Sequence, residues 1–170
     1  NFNPMKYSLI IAAVLSSAAL WAQDLPQMSP KTTFEQRIGL TDAKLTYSRP
    51  SARGRDIFSE IVPPGEHWRL GANTKTLLTL SSEVNFSSGA LPAGTYSFFI
   101  IPGESQSTFV FNKVAKQWGT YTYDEKQDIL RVNVPSQQSS TMEERLVYEV
   151  KADSFEIRWE YGKAAAKIGA

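Results

Sequence analysis

Four arginines lie close together in residues 49–73, a stretch without helix or strand periodicity. A guanidinium group holds a carboxylate or phosphate through paired N–H donors, so such a cluster can form a site for an anionic ligand. Alternatively, the arginines bond to carbonyl groups of the stretch itself, which need partners, and pair with its two glutamates. We favour the second interpretation. The residues concerned are Arg49, Arg53, Arg55 and Arg69, with Glu60 and Glu66.

A second candidate group is aromatic. Exposed rings on the face or rim of a β-sheet can stack on sugars, whereas rings that alternate along strands more often pack in the core or across strands. We favour packing and keep a carbohydrate surface as the alternative. The rings are those of Trp68, Trp118, Tyr121 and Tyr123. With the polar residues, the candidate ligand-binding set is Arg49, Arg55, Arg69, Asn73, Trp68, Trp118 and Tyr121.

His67 is the only histidine, and an imidazole can serve as a general base or a metal ligand. One histidine in a chain without cysteine cannot build a typical zinc site, so we predict no metal and no other cofactor. The serine pairs lack the nucleophile-elbow pattern, and no glycine-rich phosphate loop occurs. Catalytic residues therefore stay unassigned. The enzymatic alternative is a hydrolase-like site formed by Arg69, Asn73 and Glu66, with His67 as a further member.

The scaffold that holds these side chains is predicted to be all-β. Residues 91–102 combine aromatic and β-branched side chains between a Pro-Ala-Gly turn and Pro102, which is typical of a buried strand near the middle of a sheet. Phe98 and Ile100 fall on one face of this strand and Phe99 on the other, so both faces are expected to be covered.

Short alternating runs recur along the rest of the chain, split by Gly, Pro and Ser. They predict a single antiparallel β-sandwich, jelly-roll-like or immunoglobulin-like, with one long irregular loop at 49–73. Residues 55–62 are expected to form one helical turn that places Ile57, Phe58 and Ile61 in the core, and residues 136–141 a polar loop. The predicted strands include 33–38, 43–48, 76–80, 83–86, 108–112 and 129–134.

Residues 145–161 show the clearest hairpin pattern, with apolar side chains alternating on both arms. Placing both apolar sets on one face pairs Val150 with Phe155 and Arg145 with Glu160, so that opposite charges meet across the outer face. Trp159 is expected to be buried in the apolar layer of this hairpin.

Residues 1–22 have the layout of a secretory signal peptide, with Met5 as the expected start and cleavage after Ala22. The apolar run is shorter than the roughly 20 residues of a membrane-spanning helix. We therefore expect a protein that does not span the membrane after cleavage and that is periplasmic or extracellular. Residues 23–32 are predicted to be an extended leader and residues 33–170 a single domain.

The charge balance excludes an electrostatic nucleic-acid binder. The chain has 18 basic and 17 acidic residues, and Lys6 is the only charged residue before Gln23, so the chain beyond the signal has no formal net charge. A basic face is the usual footprint of a nucleic-acid-binding domain.

Five blocks follow one another along the chain, namely Tyr47-Ser48-Arg49-Pro50-Ser51 through Ile57-Phe58, Val62-Pro63 through Trp68-Arg69 to Asn73, residues 91–102, Phe111-Asn112-Lys113 through Gln117-Trp118-Gly119 to Tyr123-Asp124, and Leu130-Arg131-Val132. Through these blocks, nearly all of the chain after the signal resembles the secreted Gram-negative envelope proteins grouped as domain of unknown function 2911. The resemblance implies an exported, β-rich domain and assigns no catalytic residue. His67 departs from the pattern, which usually has an aliphatic residue there, and Thr74 stands where an acidic residue is common.

Three functions are therefore considered. The leading hypothesis is a non-enzymatic envelope domain that binds a glycan, a peptide or a partner protein through residues 49–73 and the neighbouring aromatic rings. The second is the hydrolase-like enzyme, and the third is a structural subunit of an envelope assembly. The role of Arg69 distinguishes a structural role of residues 49–73 from a ligand-binding role. We expect its guanidinium to be mostly buried and to anchor the loop through hydrogen bonds to carbonyls or ion pairs with Glu60 or Glu66.

Overall fold

The computed structural model describes residues 26–115 and 123–169, which form an antiparallel all-β fold. Within the described residues, Ile57–Ile61 form a π-helical turn and Glu125–Gln127 form a 3₁₀ turn. The all-β prediction is confirmed. The strands are β1 Lys31–Ile38, β2 Thr41–Ser48, β3 Thr76–Leu80, β4 Val84–Phe86, β5 Gly89–Leu91, β6 Gly94–Ile101, β7 Gln106–Asn112, β8 Asp128–Val150 and β9 Ser154–Gly169.

The nine strands form one hydrogen-bonded sheet in the order β1-β2-β3-β6-β7-β8-β9-β4-β5. The long strand β8 joins its two halves, because its first part pairs with β7 and its second part with β9. The sheet folds over on itself, so that the Phe98 ring of β6 lies 5.3 Å from the Phe155 ring of β9. The core lies between the two halves, with Phe98, Phe109 and Phe111 fully buried.

Strand β6 has the central position that its sequence predicts. It lies fourth in the sheet, and its register with β7 pairs Phe98 with Phe111. Phe98 on the inner face and Phe99 on the outer face both have no exposed surface, so the prediction that both faces are covered is confirmed.

The prediction of a polar loop at residues 136–141 is wrong. These residues continue β8, and Ser136 pairs with Ala164 of β9. Their Ser and Gln content is typical of loops, but strand pairing with a distant segment overrides a weak local preference. The same pairing extends β9 to Gly169.

The β8–β9 hairpin has the predicted register only near its turn. Val150 lies opposite Phe155, as predicted, and Trp159 is buried. The prediction that Arg145 faces Glu160 is wrong, because irregularities in β8 between Gln138 and Val147 shift the register and bring Glu143 opposite Glu160. Such bulges bend a strand and change which residues meet across it.

The irregular segment between β2 and β3 is as long as predicted. The helical turn is present as a π-helix, and Ile57 is buried while Phe58 packs partly against the core. Ile61, expected in the core, is instead exposed at 38%, and Val62 is the buried residue at the end of the turn. The wider π-helical turn changes which side chains face inward.

Residues 1–25 lie outside the described part of the chain, and the signal-peptide and cleavage predictions fall on them. Within residues 26–115 and 123–169, no helix is long and apolar enough to cross a membrane. β1 begins at Lys31, two residues before the predicted start of the domain.

Candidate functional site

A cleft of about 450 Å³ opens between the irregular segment and strand β9. Its floor consists of buried apolar side chains from four parts of the fold, including Leu70, Ile100, Leu146 and Ile157. Its rim carries exposed polar side chains, among them Glu104, Gln137 and Gln138. An apolar floor with a few polar groups around it is the usual composition of a small-ligand site.

Two stacked indoles form one wall of this cleft. The Trp68 and Trp159 rings lie 5.2 Å apart with 15° between their planes. Trp68 is fixed on β6, because its backbone N–H and C=O both bond to Ile100. Trp159 is 3% exposed, and its indole Nε1–H has no partner among the described residues. A buried tryptophan normally finds an acceptor for its indole N–H. The wall of the cleft therefore contains a hydrogen-bond donor for which the described residues supply no acceptor.

The π-helical turn closes one end of the cleft through Phe58. Its ring packs on Gly162 of β9 so closely that a Cβ built on Gly162 would lie 2.2 Å from the ring. The turn is also tied to β9 by polar groups, since the Ile57 N–H donates to the Glu160 carboxylate at 3.2 Å. The absence of a side chain at Gly162 therefore positions an aromatic wall of the cleft.

Most of the charged side chains at the cleft have structural partners. Asp56 caps the π-helical turn by accepting the Ser59 N–H, and hydrogen bonds from Ser59 lower the pKa of Asp56. Lys163 pairs with Glu156 at 2.9 Å, and Glu160 accepts the Ile57 N–H. Carboxylates and amines engaged in this way are poorly placed to exchange protons with a substrate.

A smaller cavity of about 260 Å³ adjoins the same two indoles and is lined by Arg55 and Arg69. The expectation that Arg69 anchors the irregular segment is wrong. Among the described residues, its guanidinium has no hydrogen bond to a carbonyl and no ion pair with Glu60 or Glu66, and its Nε is buried without a partner.

Two of the other arginines do anchor the segment. Arg49 Nε donates to the Leu146 carbonyl at 3.0 Å, and Arg55 donates to the Ala52 and Ser51 carbonyls at 2.9 and 2.8 Å. The interpretation that we favoured describes Arg55, whose partners are carbonyls of the segment itself, whereas Arg49 ties the segment to a carbonyl of β8.

Asn73 and Arg53 lie apart from both cavities. Asn73 donates to the Ser29 carbonyl at 3.3 Å, and Arg53 reaches toward Met28. The structure therefore does not gather the predicted polar set at one place. Of the candidate residues that the structure describes, Arg55, Arg69 and Trp68 line a common cavity.

The backbone next to Arg69 adopts an unusual conformation. Leu70 has a φ of 57°, which is rare for a bulky side chain. Its carbonyl accepts the hydroxyl groups of Thr76, at 2.7 Å, and Tyr148. Strained backbone held by several hydrogen bonds is common at binding sites. The conformation of Leu70 therefore supports a binding site at the neighbouring Arg69 and Trp68.

His67 lies in a different environment from the cleft. Its ring is 4.2 Å from the Tyr123 ring, and its Nε2 is buried without a partner among the described residues. Burial lowers the pKa of His67, as does the charge of Arg131, while Asp128 opposes the shift. Since His67 lines neither cavity, the geometry does not bring it together with Arg69.

Tyr123 belongs to a hydrogen-bonded network rather than to a sugar-stacking face. Its hydroxyl donates to Asp128 at 2.5 Å and accepts from Arg131 at 2.9 Å, and burial together with the Asp128 bond raises the pKa of Tyr123 to about 12. Trp118 and Tyr121, the other aromatic candidates, lie outside the described residues. In residues 26–115 and 123–169, no group of three or more His, Asp or Glu side chains is arranged to hold a metal ion.

Sequence reasoning missed the contribution of β9 and of the middle of β8 to the cleft. The sequence predicts a loop for Gln137 and Gln138 and core positions for Trp159 and Phe58. One signal is available for Trp159, because an inward-facing tryptophan needs an acceptor for its indole N–H and most side chains on its predicted hairpin face are apolar.

Comparison with known families gives a single assignment. A family model described as "Protein of unknown function (DUF2911)" matches residues 29–168. No curated protein and no solved structure matches the chain. Because the family model covers well over half of the sequence, the chain belongs to the family described as protein of unknown function DUF2911.

Proposed function

We propose that this protein is a non-catalytic binding domain whose cleft takes the apolar part of a small amphipathic molecule. The observation that carries the proposal is the cleft of about 450 Å³, which has a buried aliphatic floor, an indole wall and a polar rim. Burying an apolar group there supplies affinity, and the rim groups orient the polar part of the ligand.

An apolar group fits this cleft better than a sugar ring does. A pyranose stacks on an open aromatic face, whereas here Trp159 is 3% exposed and one face of Trp68 is used by Trp159. The floor is aliphatic, and Leu70 and Leu146 have no exposed surface. Among the ligands expected from the sequence, a peptide with an apolar group is therefore favoured over a glycan.

Binding is favoured over hydrolysis by the state of the charged groups at the cleft. Asp56, Glu160 and Lys163 each bond to a partner within the fold. His67, the strongest general-base candidate, lines neither cavity. These contacts support a site that holds a ligand without transforming it.

A role as a strand-pairing subunit finds less support. β1 is an edge of the described sheet, and it carries Lys31, Glu35 and Arg37 as exposed side chains. Charged residues on an edge strand oppose pairing with another chain. The exposed large apolar residues are also scattered, including Met28, Leu40 and Ile129.

A pair of alanine substitutions tests whether ligands occupy the cleft. Ala164 lines the cleft, and the adjacent Ala165 points to the other face of β9. In a ligand-observed NMR screen of small amphipathic molecules, Ala164→Met should abolish the binding of hits by filling the cleft. Ala165→Met should leave binding unchanged. Hits that bind both variants equally well, or a screen without hits, would contradict the proposal.

We also propose that the protein acts outside the cytoplasm, on the basis of the signal-peptide pattern in residues 1–22. Intact-mass analysis of protein recovered from the cell envelope should give a chain that begins at Gln23. A chain that retains the apolar run would overturn this part of the proposal.

A further inference from the structure

The cavity of about 260 Å³ that adjoins the stacked indoles is lined by positively charged side chains. Trp68 and Trp159 line it as well as the larger cleft, so the same aromatic pair forms a wall of both cavities. Among the described residues that line it, Arg55 and Arg69 are the charged ones, and none is acidic. Two cations without a counter-charge in the wall make this cavity attractive to an anion.

Arg55 and Arg69 differ in how many of their guanidinium N–H donors are used by other groups of the described residues. Arg55 uses Nε and one terminal nitrogen on the Ala52 and Ser51 carbonyls. The Arg69 guanidinium makes no hydrogen bond or ion pair within the described residues, although its Nε is buried. A buried donor without an acceptor is unfavourable, and an acceptor supplied by a ligand would remove that penalty.

The position of Arg69 is fixed by its neighbours on both sides. Trp68 is bonded to Ile100 through both backbone groups, and the Leu70 carbonyl accepts two hydroxyl groups. Arg69 is therefore held at the cavity by backbone that is rigid on each side, although its side chain contributes no bond to the fold. A guanidinium carried on fixed backbone loses less conformational freedom on binding an anion than one carried on a mobile loop.

We propose that Arg69 binds the carboxylate of an amphipathic ligand at the smaller cavity, with the apolar part of the ligand against the indole pair that this cavity shares with the cleft. One planar guanidinium with unused N–H donors matches the two oxygens of a carboxylate, and the unpaired indole N–H of Trp159 is a further donor at the same wall. This inference rests on the proposed function, since it names the chemical class of the ligand of that site. The ligand is an amphipathic carboxylate, either a simple acid or the free C-terminus of a short peptide.

Matched acid and amide pairs test the inference. The probes are octanoate and octanamide, 4-phenylbutanoate and 4-phenylbutanamide, and N-acetyl-leucine and N-acetyl-leucinamide, titrated into the protein by isothermal calorimetry. Each pair differs only in the carboxylate. A charge-assisted bond to arginine should make the acid of at least one pair bind about tenfold more tightly than its amide. The pair that shows this identifies a simple acid or a peptide-like source.

Arg69→Gln should remove the preference for the acid and leave the binding of the amide unchanged. Arg53→Gln is the control, because Arg53 belongs to the same irregular segment and lines neither cavity. It should keep the full preference. Circular dichroism checks that each variant is folded. If Arg69→Gln fails to fold, the wild-type protein still provides a test, because its preference for the acid over the amide should decrease steeply as salt is raised from 50 to 500 mM.

The outcomes separate the two proposals. If neither acids nor amides bind, the proposed function fails and this inference fails with it. If both members of each pair bind equally well, or if Arg69→Gln keeps the preference, the cleft binds apolar ligands but the assignment of a carboxylate to Arg69 is overturned.

Discussion

The contact between Phe58 and Gly162 leads to a sharp prediction about stability. A Cβ at position 162 would lie 2.2 and 2.3 Å from two ring carbons of Phe58, far inside van der Waals contact. The backbone at Gly162 does not have a positive φ, so alanine is compatible with its conformation. The substitution Gly162→Ala therefore isolates the clash with the ring.

The size of the effect follows from two opposing contributions. Replacing glycine with alanine in a strand normally favours the folded state by about 0.5–1 kcal/mol, because the unfolded chain loses freedom. Overpacking a filled site costs about 1–3 kcal/mol, since the ring must leave its place against the core. We expect Gly162→Ala to lower the free energy of unfolding by about 1–2 kcal/mol.

Urea unfolding followed by tryptophan fluorescence measures this change, and Gly169→Ala is the matched control. Gly169 is the last residue of the same strand, and a Cβ there meets no atom within 4 Å. Gly169→Ala should be neutral or stabilising. In a Phe58→Ala background the ring is absent, so Gly162→Ala should behave like the control. Equal stability of Gly162→Ala and Gly169→Ala in the wild-type background would refute the packing described for this end of the cleft.

Two further predictions concern charged residues. Arg49→Gln should lower the free energy of unfolding by about 1–3 kcal/mol in the same urea assay, because it leaves the Leu146 carbonyl without its donor. Arg69→Gln should change the free energy of unfolding by less than about 0.5 kcal/mol, because the Arg69 Nε has no partner among the described residues. A larger loss for Arg69→Gln than for Arg49→Gln would contradict these roles. Burial opposes the charged form of Glu156, but hydrogen bonds from Lys163 and Arg158 outweigh it and lower the pKa of Glu156 below its usual range. This stabilisation is complete above the pKa of a glutamate in the unfolded chain, about 4.3, and is lost as the pH falls through the lower folded-state pKa. Arg158→Gln should therefore destabilise the protein more at pH 7 than at pH 3, and an equal loss at both pH values would rule out the coupling.

Residues 91–102 show how much of the fold could be predicted from the sequence. Apolar side chains on both faces of one strand specify a buried position, and the structure gives β6 that position. Residues 136–141 show the limit, because their strand conformation depends on pairing with β9 and not on their own composition. The strand or loop preference of a segment's own residues predicts its conformation only where strand pairing with the rest of the sheet favours the same conformation.

The candidate site was less predictable for a related reason. Four arginines in one segment look alike in sequence, but whether each reaches a carbonyl depends on where distant backbone lies. Arg49 meets the carbonyl of Leu146, far along the chain, and Arg69 meets none. The cleft itself forms between β9 and the irregular segment, so no single stretch of sequence contains its pattern.

The central claim is that a small amphipathic ligand occupies the cleft against the stacked indoles. The most direct measurement is the ¹⁵N–¹H spectrum of the tryptophan indoles during titration with a ligand found by the screen, with the Trp159 signal assigned through Trp159→Phe. Among residues 26–115 and 123–169 the indole N–H of Trp159 has no acceptor, and it is expected to gain one from the ligand, so its proton signal should move downfield and saturate together with binding. A ligand that binds while the Trp159 indole signal stays in place would contradict the account.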